Sequence, residues 1–293
     1  MTAPGLWLAG ARPKTLPAAV SPVLVGTALA GASWIPLRAI LALIVALALQ
    51  VGVNYANDYS DGVRGTDRSR VGPVRLVGQG LAPANRVRNA AFTSFAVAAL
   101  AGLTLVSVSG YWWLLIVGAA SIAAAWLYTG GPRPYGYAGF GELFVFVFFG
   151  LVPVLGTLYV QTGGIDGTAL FAAVGVGALA CAILVTNNLR DIPTDARVGK
   201  RTLAVRLGDR RTRRLYVLLI VVAFTMVALM AITSAWILLG LLAVPWAISP
   251  LRVVTAGAIG PELVPALVST GRLVIAYALA LSLGLLVPVV FGT

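Results

Sequence analysis

Only nine of the 293 residues are acidic, and five of these lie in two short segments. Asp58, Asp61 and Asp67 fall in NYANDYSDGVRGTD (residues 54–67), and Asp191 and Asp195 in NNLRDIPTD (residues 187–195). On a helix, Asn54, Asp58 and Asp61 stand at i, i+4 and i+7 and share one face; Asn187, Asp191 and Asp195, at i, i+4 and i+8, share another. Pro193 is expected to distort the second stripe, since it removes a backbone donor. Each stripe directs an amide oxygen and two carboxylates one way. Hard oxygen ligands of this kind suit Mg²⁺, with Mn²⁺ as the alternative. Two stripes facing each other would hold two ions with a diphosphate between them and make it a better leaving group. Asp58, Asp61, Asp191 and Asp195 are therefore the candidate catalytic residues, and Asn54 and Asn187 join them as candidate metal ligands.

The elements that must carry these stripes are membrane helices. Apolar residues make up 59% of the chain and charged residues 10%, against about 25% charged in soluble domains. The apolar residues run in uncharged stretches near the ~20 residues that cross a bilayer, not in the short alternating segments of a β-barrel. Nine spans are expected, near 16–33, 37–57, 89–108, 111–128, 141–161, 168–188, 214–233, 236–251 and 273–291. The predicted fold is an all-α, polytopic membrane bundle of nine transmembrane helices, a single domain over 1–293. No cleaved signal sequence is expected at the N-terminus. The absence of histidine and the single cysteine, Cys181, exclude histidine-ligated metals, a Ser-His-Asp triad, cysteine zinc sites and an intrachain disulfide.

Twenty of the 21 basic residues fall on one side of this topology, Arg38 being the exception. The Lys/Arg excess marks the cytoplasmic side, so the N-terminus and both acidic stripes are expected inside and the C-terminus outside a plasma membrane. The net charge of +12 then reads as anchoring to anionic lipid, not as a nucleic-acid surface. Carboxylates at membrane depth cost about 2.5–3.5 kcal/mol each and read as functional. The competing reading pairs them with Arg64, Arg68 and Arg190 as interfacial salt bridges.

The two motifs also recur at a constant distance. Asn54 and Asn187 are 133 residues apart, as are Asp58 and Asp191, while Asp61–Asp195 and Gly65–Gly199 are 134 apart. This predicts a parallel repeat of four helices, about 16–128 and 141–251, with a ninth helix at 273–291. An inverted repeat would have favoured a transporter. Each motif runs into a loop rich in glycine and arginine, GPVRLVGQG (72–80) and GKRTLAVRLG (199–208), suited to capping a phosphate-bearing site. Arg75, Lys200 and Arg201 in these loops are candidate substrate contacts, as are Asn57, Arg64, Arg68, Asn188 and Arg190 beside the aspartates. Arg12, Lys14, Tyr128 and Arg133, near the same ends of the first and fourth spans, complete the set.

The runs at Asn54–Asp67 and Asn187–Asp195 resemble those of the UbiA-type intramembrane aromatic prenyltransferases. ARPKTLPAAVSPVLVGTAL (11–29), YTGGPRPYGYAGFGE (128–142) and RLVGQG (75–80) are similar to the actinobacterial branch acting on 1,4-dihydroxy-2-naphthoate. The resemblance covers almost the whole chain. It implies a nine-helix bundle, Mg²⁺, a polyprenyl diphosphate donor and a dihydroxynaphthoate acceptor, with demethylmenaquinone, CO₂ and diphosphate as products of a step in menaquinone biosynthesis. It also implies metal or diphosphate roles for the five stripe residues Asn54, Asp58, Asp61, Asp191 and Asp195, and a further acidic ligand at Asp67. The chain departs from that pattern at Arg68, where relatives often carry another acid, and at Arg133, where they often carry lysine. A related enzyme using another aromatic acceptor, such as 4-hydroxybenzoate, is the first alternative. A cation-coupled secondary transporter is the second. Prenyl chain length and oligomeric state are not legible.

Overall fold

The computed structural model describes residues 4–66 and 74–291, so Asp67 and Arg68 lie outside the described residues. The described residues are helical with no strand. A short helix α1 (Pro4–Ala11) precedes α2 (Pro17–Leu29), α3 (Pro36–Val63), α4 (Ala84–Ser109) and α5 (Leu114–Leu127). Then come α6 (Gly141–Thr162), α7 (Gly167–Arg197), α8 (Leu203–Met230), α9 (Ala235–Thr255) and α10 (Gly260–Phe291). This is an integral membrane protein, and among the described residues seven helices are long and apolar enough to cross a bilayer, so the expected nine are not all established.

The two shorter apolar helices, α2 and α5, have local causes. α2 starts only at Pro17, a residue suited to a first helical turn, and stops before Gly31, whose φ of +54° ends helical continuation. Its 13 residues reach about 20 Å, less than the ~30 Å hydrocarbon core. α5 has 14 residues and is similarly short. Other elements are longer than the apolar runs suggest. Arg272 does not flank a connection but lies within α10, which begins twelve residues earlier at Gly260. The predicted loop 199–208 already contains the first turn of α8, which is broken at Gly208 (φ 75°, ψ 169°).

α7 is the central helix: two thirds of its span is buried, against about a third for the others. It packs against α8 over its length, and α3 packs against α4 in the same manner. Where α7 meets α6, a Cβ on Gly150 would lie 2.4 Å from the Gly177 Cα. Small residues permit this backbone approach, in which dispersion rather than hydrophobicity joins membrane helices. Gly150 also lies in a π-helical stretch, Val147–Leu151, within α6.

Arg38, the basic residue expected on the opposite side from the others, has a structural task. It donates to the Val160 carbonyl (2.7 Å) and the Val108 carbonyl (3.0 Å). Both carbonyls belong to last turns, of α6 and α4, where helices lack internal donors and favour a cation.

Candidate active site

The two long helices α3 and α7 carry the acidic stripes at their C-terminal ends, and α7 stays helical through Pro193. A cavity of about 530 Å³ runs between the helices and is bordered by members of both stripes. Asn54, Asn57 and Asp61 line it from α3, and Asn187, Asn188 and Asp195 from α7, joined by Arg12, Arg75, Tyr128 and Lys200. Most of its remaining wall is apolar, with Phe144, Phe148 and Phe149 from α6 and small residues such as Ala99, Gly102 and Gly118 from α4 and α5.

Asp61 is the junction of the polar end. Its carboxylate accepts from the Tyr137 hydroxyl (2.5 Å) and pairs with the Lys200 ammonium (3.1 Å). Lys200 follows the second motif, so this pair joins the two halves of the chain. Its Nζ also lies 4.5 Å from the Tyr137 ring centroid, a cation–π distance. The short helical turn that holds Tyr137, Tyr135–Ala138, is tied to the second motif through the Arg201 N–H, which donates to the Tyr137 carbonyl (2.9 Å). Burial first, and Asp61 beside it second, push the Tyr137 hydroxyl well above its ordinary pKa. It therefore stays protonated and remains a donor to Asp61.

Asp58 and Asp191 are fully buried beside the cavity without lining it. Asp58 accepts from the backbone N–H groups of Leu76 (2.7 Å) and Val77 (3.0 Å), which fastens the loop carrying Arg75. Asp191 is held bidentately by Arg190, at 2.7 Å from both Nε and Nη2, and the same guanidinium donates to the Asn187 amide oxygen (2.8 Å). Asn54 donates to the Ala11 carbonyl (2.9 Å) and to Thr15 (3.0 Å), and so fixes the turn at Arg12. Arg12 itself has φ +54° and lines the cavity. A left-handed non-glycine residue costs about 1–2 kcal/mol, made harder by the following Pro13.

Other candidates sit elsewhere. Arg64 donates to the Thr129 and Gly131 carbonyls and ties α3 to the turn after α5. Lys14, Arg133 and Arg201 are exposed and do not line the cavity, and Arg190 lies behind it. The residues that sequence reasoning missed are Thr15, Gln50, Thr129, Tyr135 and Tyr137, all cavity-lining. Gln50 had a signal: a polar residue in an apolar span, one turn before Asn54. Tyr137 had none, since its role comes from a contact 76 residues away in sequence.

Among the described residues no three acids converge into a ready metal cage. The donor set still fits a hard divalent cation. Mg²⁺ takes one or two protein carboxylates and completes its shell with water and substrate phosphates, and Asp61 and Asp195 border one cavity together with Asn54, Asn57, Asn187 and Asn188.

Comparison with known proteins shows the family and the fold. The UbiA prenyltransferase family matches residues 19–258. A Mycobacterium tuberculosis protein, 1,4-dihydroxy-2-naphthoate octaprenyltransferase, is 55% identical over 94% of this chain and 95% of its own. Among solved structures, a UbiA homolog from Aeropyrum pernix K1 in its apo form superposes with a TM-score of 0.74 at 14% identity, covering 92% of this chain and 97% of that one. An Archaeoglobus fulgidus UbiA homolog bound to GPP and Mg²⁺ gives 0.69 at 13% identity, covering 94% and 99%. With a family match over most of its length and a relative of this identity, the chain belongs to the UbiA prenyltransferase family.

Proposed function

We propose that this protein transfers a polyprenyl group from polyprenyl diphosphate to 1,4-dihydroxy-2-naphthoate, releasing diphosphate and CO₂ and giving demethylmenaquinone. The observation that carries the acceptor assignment is the 55% identity, over almost the full length of both chains, to the mycobacterial enzyme of that name. The cavity supports the chemistry: one polar end able to receive a diphosphate, and a long apolar body able to receive its tail.

Asp61 and Asp195, facing the cavity, with Asn54 and Asn187 and with Asp58 and Asp191 one turn away, would hold Mg²⁺, or Mn²⁺ in its place. When bound, the cation neutralises the diphosphate and makes it a better leaving group. Arg75, Lys200 and Arg12 direct positive charge at the same end, where leaving-group charge develops. Phe144, Phe148 and Phe149 exclude water from the allylic carbon and offer ring faces to its developing positive charge. The salt-bridge reading is partly visible in Asp61–Lys200 and Asp191–Arg190, and both pairs lie at the polar end where these roles would meet.

The bundle is read as two parallel four-helix repeats plus a last helix, on the order of its elements and the matched positions of the stripes. It is read as lying in the plasma membrane with the N-terminus and the polar end cytoplasmic, on the asymmetry of its basic residues. Purified protein in nanodiscs, given one polyprenyl diphosphate and a panel of aromatic acceptors, tests the assignment. The expected product is prenylated at the ring carbon that held the carboxylate, which is lost as CO₂, and chelation of divalent cations abolishes its formation. A product that keeps the carboxylate, reaction with 4-hydroxybenzoate alone, or full turnover in chelator would overturn it.

A further inference from the structure

Glu142 belongs to neither acidic stripe, yet it is 9% exposed, in the first turn of α6. A buried carboxylate there benefits from the free N–H groups and positive end of the helix. Its Oε1 accepts from the Asn188 Nδ2 at 3.0 Å. Its own backbone carbonyl accepts from the Cys181 thiol at 3.1 Å, so side chain and main chain are both tied to α7.

The amide NH₂ of Asn188 is the donor in this bond and a Glu142 carboxyl oxygen the acceptor. Asn188 therefore turns its Nδ2 to Glu142 and its Oδ1 away. Asn188 is buried to 4% exposure and lines the cavity, and no donor among the described residues is directed at that oxygen. The same wall is aromatic: Tyr135 stacks on Phe144 with centroids 3.9 Å apart, and Tyr128 meets Tyr135 edge-on at 5.5 Å. Gly141, beside Glu142, lies against the Tyr128 ring, where a Cβ would come within 3.3 Å.

We propose that Glu142 is a positioning residue that turns the Asn188 amide oxygen into the cavity, where it accepts a hydrogen bond from a hydroxyl of the aromatic acceptor. The proposal rests on the prenyltransfer reading above. A diphosphate brings acceptor oxygens only and would be repelled by Oδ1, whereas a dihydroxy-aromatic brings the donor that this oxygen lacks and a ring for the aromatic wall.

The test uses the full-length protein in nanodiscs, varying acceptor and prenyl diphosphate separately and recording melting temperature. Asn188→Asp sets two carboxylates against each other. It is expected to raise KM for the acceptor about tenfold or more, the scale of one lost hydrogen bond to a buried polar site, with KM for the diphosphate unchanged. Glu142→Gln combined with Asn188→Asp restores a donor facing an acceptor, with an oxygen again turned to the cavity. Acceptor KM should then return to within roughly threefold of the wild type. If Asn188→Asp does not fold, Glu142→Ala, which frees the amide to flip, must raise acceptor KM by itself. A double variant no better than Asn188→Asp, or an effect on diphosphate KM or Mg²⁺ requirement in place of acceptor KM, overturns the proposal. Wild-type turnover separates the two levels. Product from the wild type with no rescue in the double variant removes only this proposal. No product from any hydroxylated aromatic removes the prenyltransfer reading, and this proposal with it.

Discussion

Asp61 is the residue on which the competing readings of the acidic stripes divide. It is buried, Tyr137 donates to one oxygen and Lys200, itself 5% exposed at the side chain, pairs with the other. Asp61→Asn keeps the Tyr137 hydrogen bond and removes the charge opposite Lys200. Breaking one side of a buried pair costs about 3–5 kcal/mol when the other charge cannot reach water. Lys200 lines the cavity and can turn into it, so a loss near 2 kcal/mol is expected, a few degrees in melting temperature for a chain of this size. The kinetic effect should be larger: about 10²-fold or more in kcat, the scale of removing one preorganised electrostatic group. The control is Lys200→Gln. If Asp61 serves only as the counter-ion of Lys200, the two variants share one signature, a raised KM for polyprenyl diphosphate with kcat nearly intact, and the double variant is no worse than either. If Asp61 acts on the diphosphate itself, Asp61→Asn lowers kcat well beyond Lys200→Gln. Initial rates on folded, size-exclusion-purified protein, well below the melting temperature, separate these cases. Near-normal kcat in Asp61→Asn would refute a direct role.

Asp58→Asn should cut turnover by about 10²-fold and also lower the melting temperature, because one of the amides of Leu76 and Val77 would then face an NH₂ group; unchanged thermal stability would count against the loop anchor. Arg38→Ala removes two charge-assisted bonds from helix ends and is expected to cost about 1.5–3 kcal/mol of stability, at the low end because it is part-exposed, with KM values unchanged; a shift in KM without a shift in melting would refute the assignment. Reporter fusions at 70 and 205 should report cytoplasm, and those at 110, 165 and 293 the opposite side; an external signal at 70 or 205 would reverse the topology.

What could be read from the sequence followed helix periodicity. Asn54, Asp58 and Asp61 lie on one helix, and so do Asn187, Asp191 and Asp195, because a 3.6-residue repeat is a local property. Even Pro193, expected to distort the turn, is carried within α7. Span lengths were less legible where a single residue interrupts a hydropathy run without interrupting a helix. Arg272 is one such residue; it shortened the apparent last span although α10 continues past it. The reverse held at Pro17 and Gly31, where backbone restrictions cut an apolar run to 13 residues.

Apart from Arg190, which adjoins Asp191 in sequence and was legible as its partner, the partners of the stripe acids could not be read, since they are tertiary contacts. Asp58 meets amides 18 and 19 residues on, and Asp61 meets Tyr137 and Lys200 from other segments. These contacts change what the stripes can do. Two equivalent rows of two carboxylates each would concentrate negative charge at membrane depth, at a cost no protein group repays. The fold instead neutralises Asp191 with Arg190, Asp61 with Lys200 and Asp58 with two backbone donors, and leaves Asp61 and Asp195 on the cavity wall. Because the Asp61–Lys200 pair spans the two halves of the chain, the polar end is complete only when α3 and α7 are packed in one bundle. The acids are thus tolerated within the membrane by the same contacts that assemble the site.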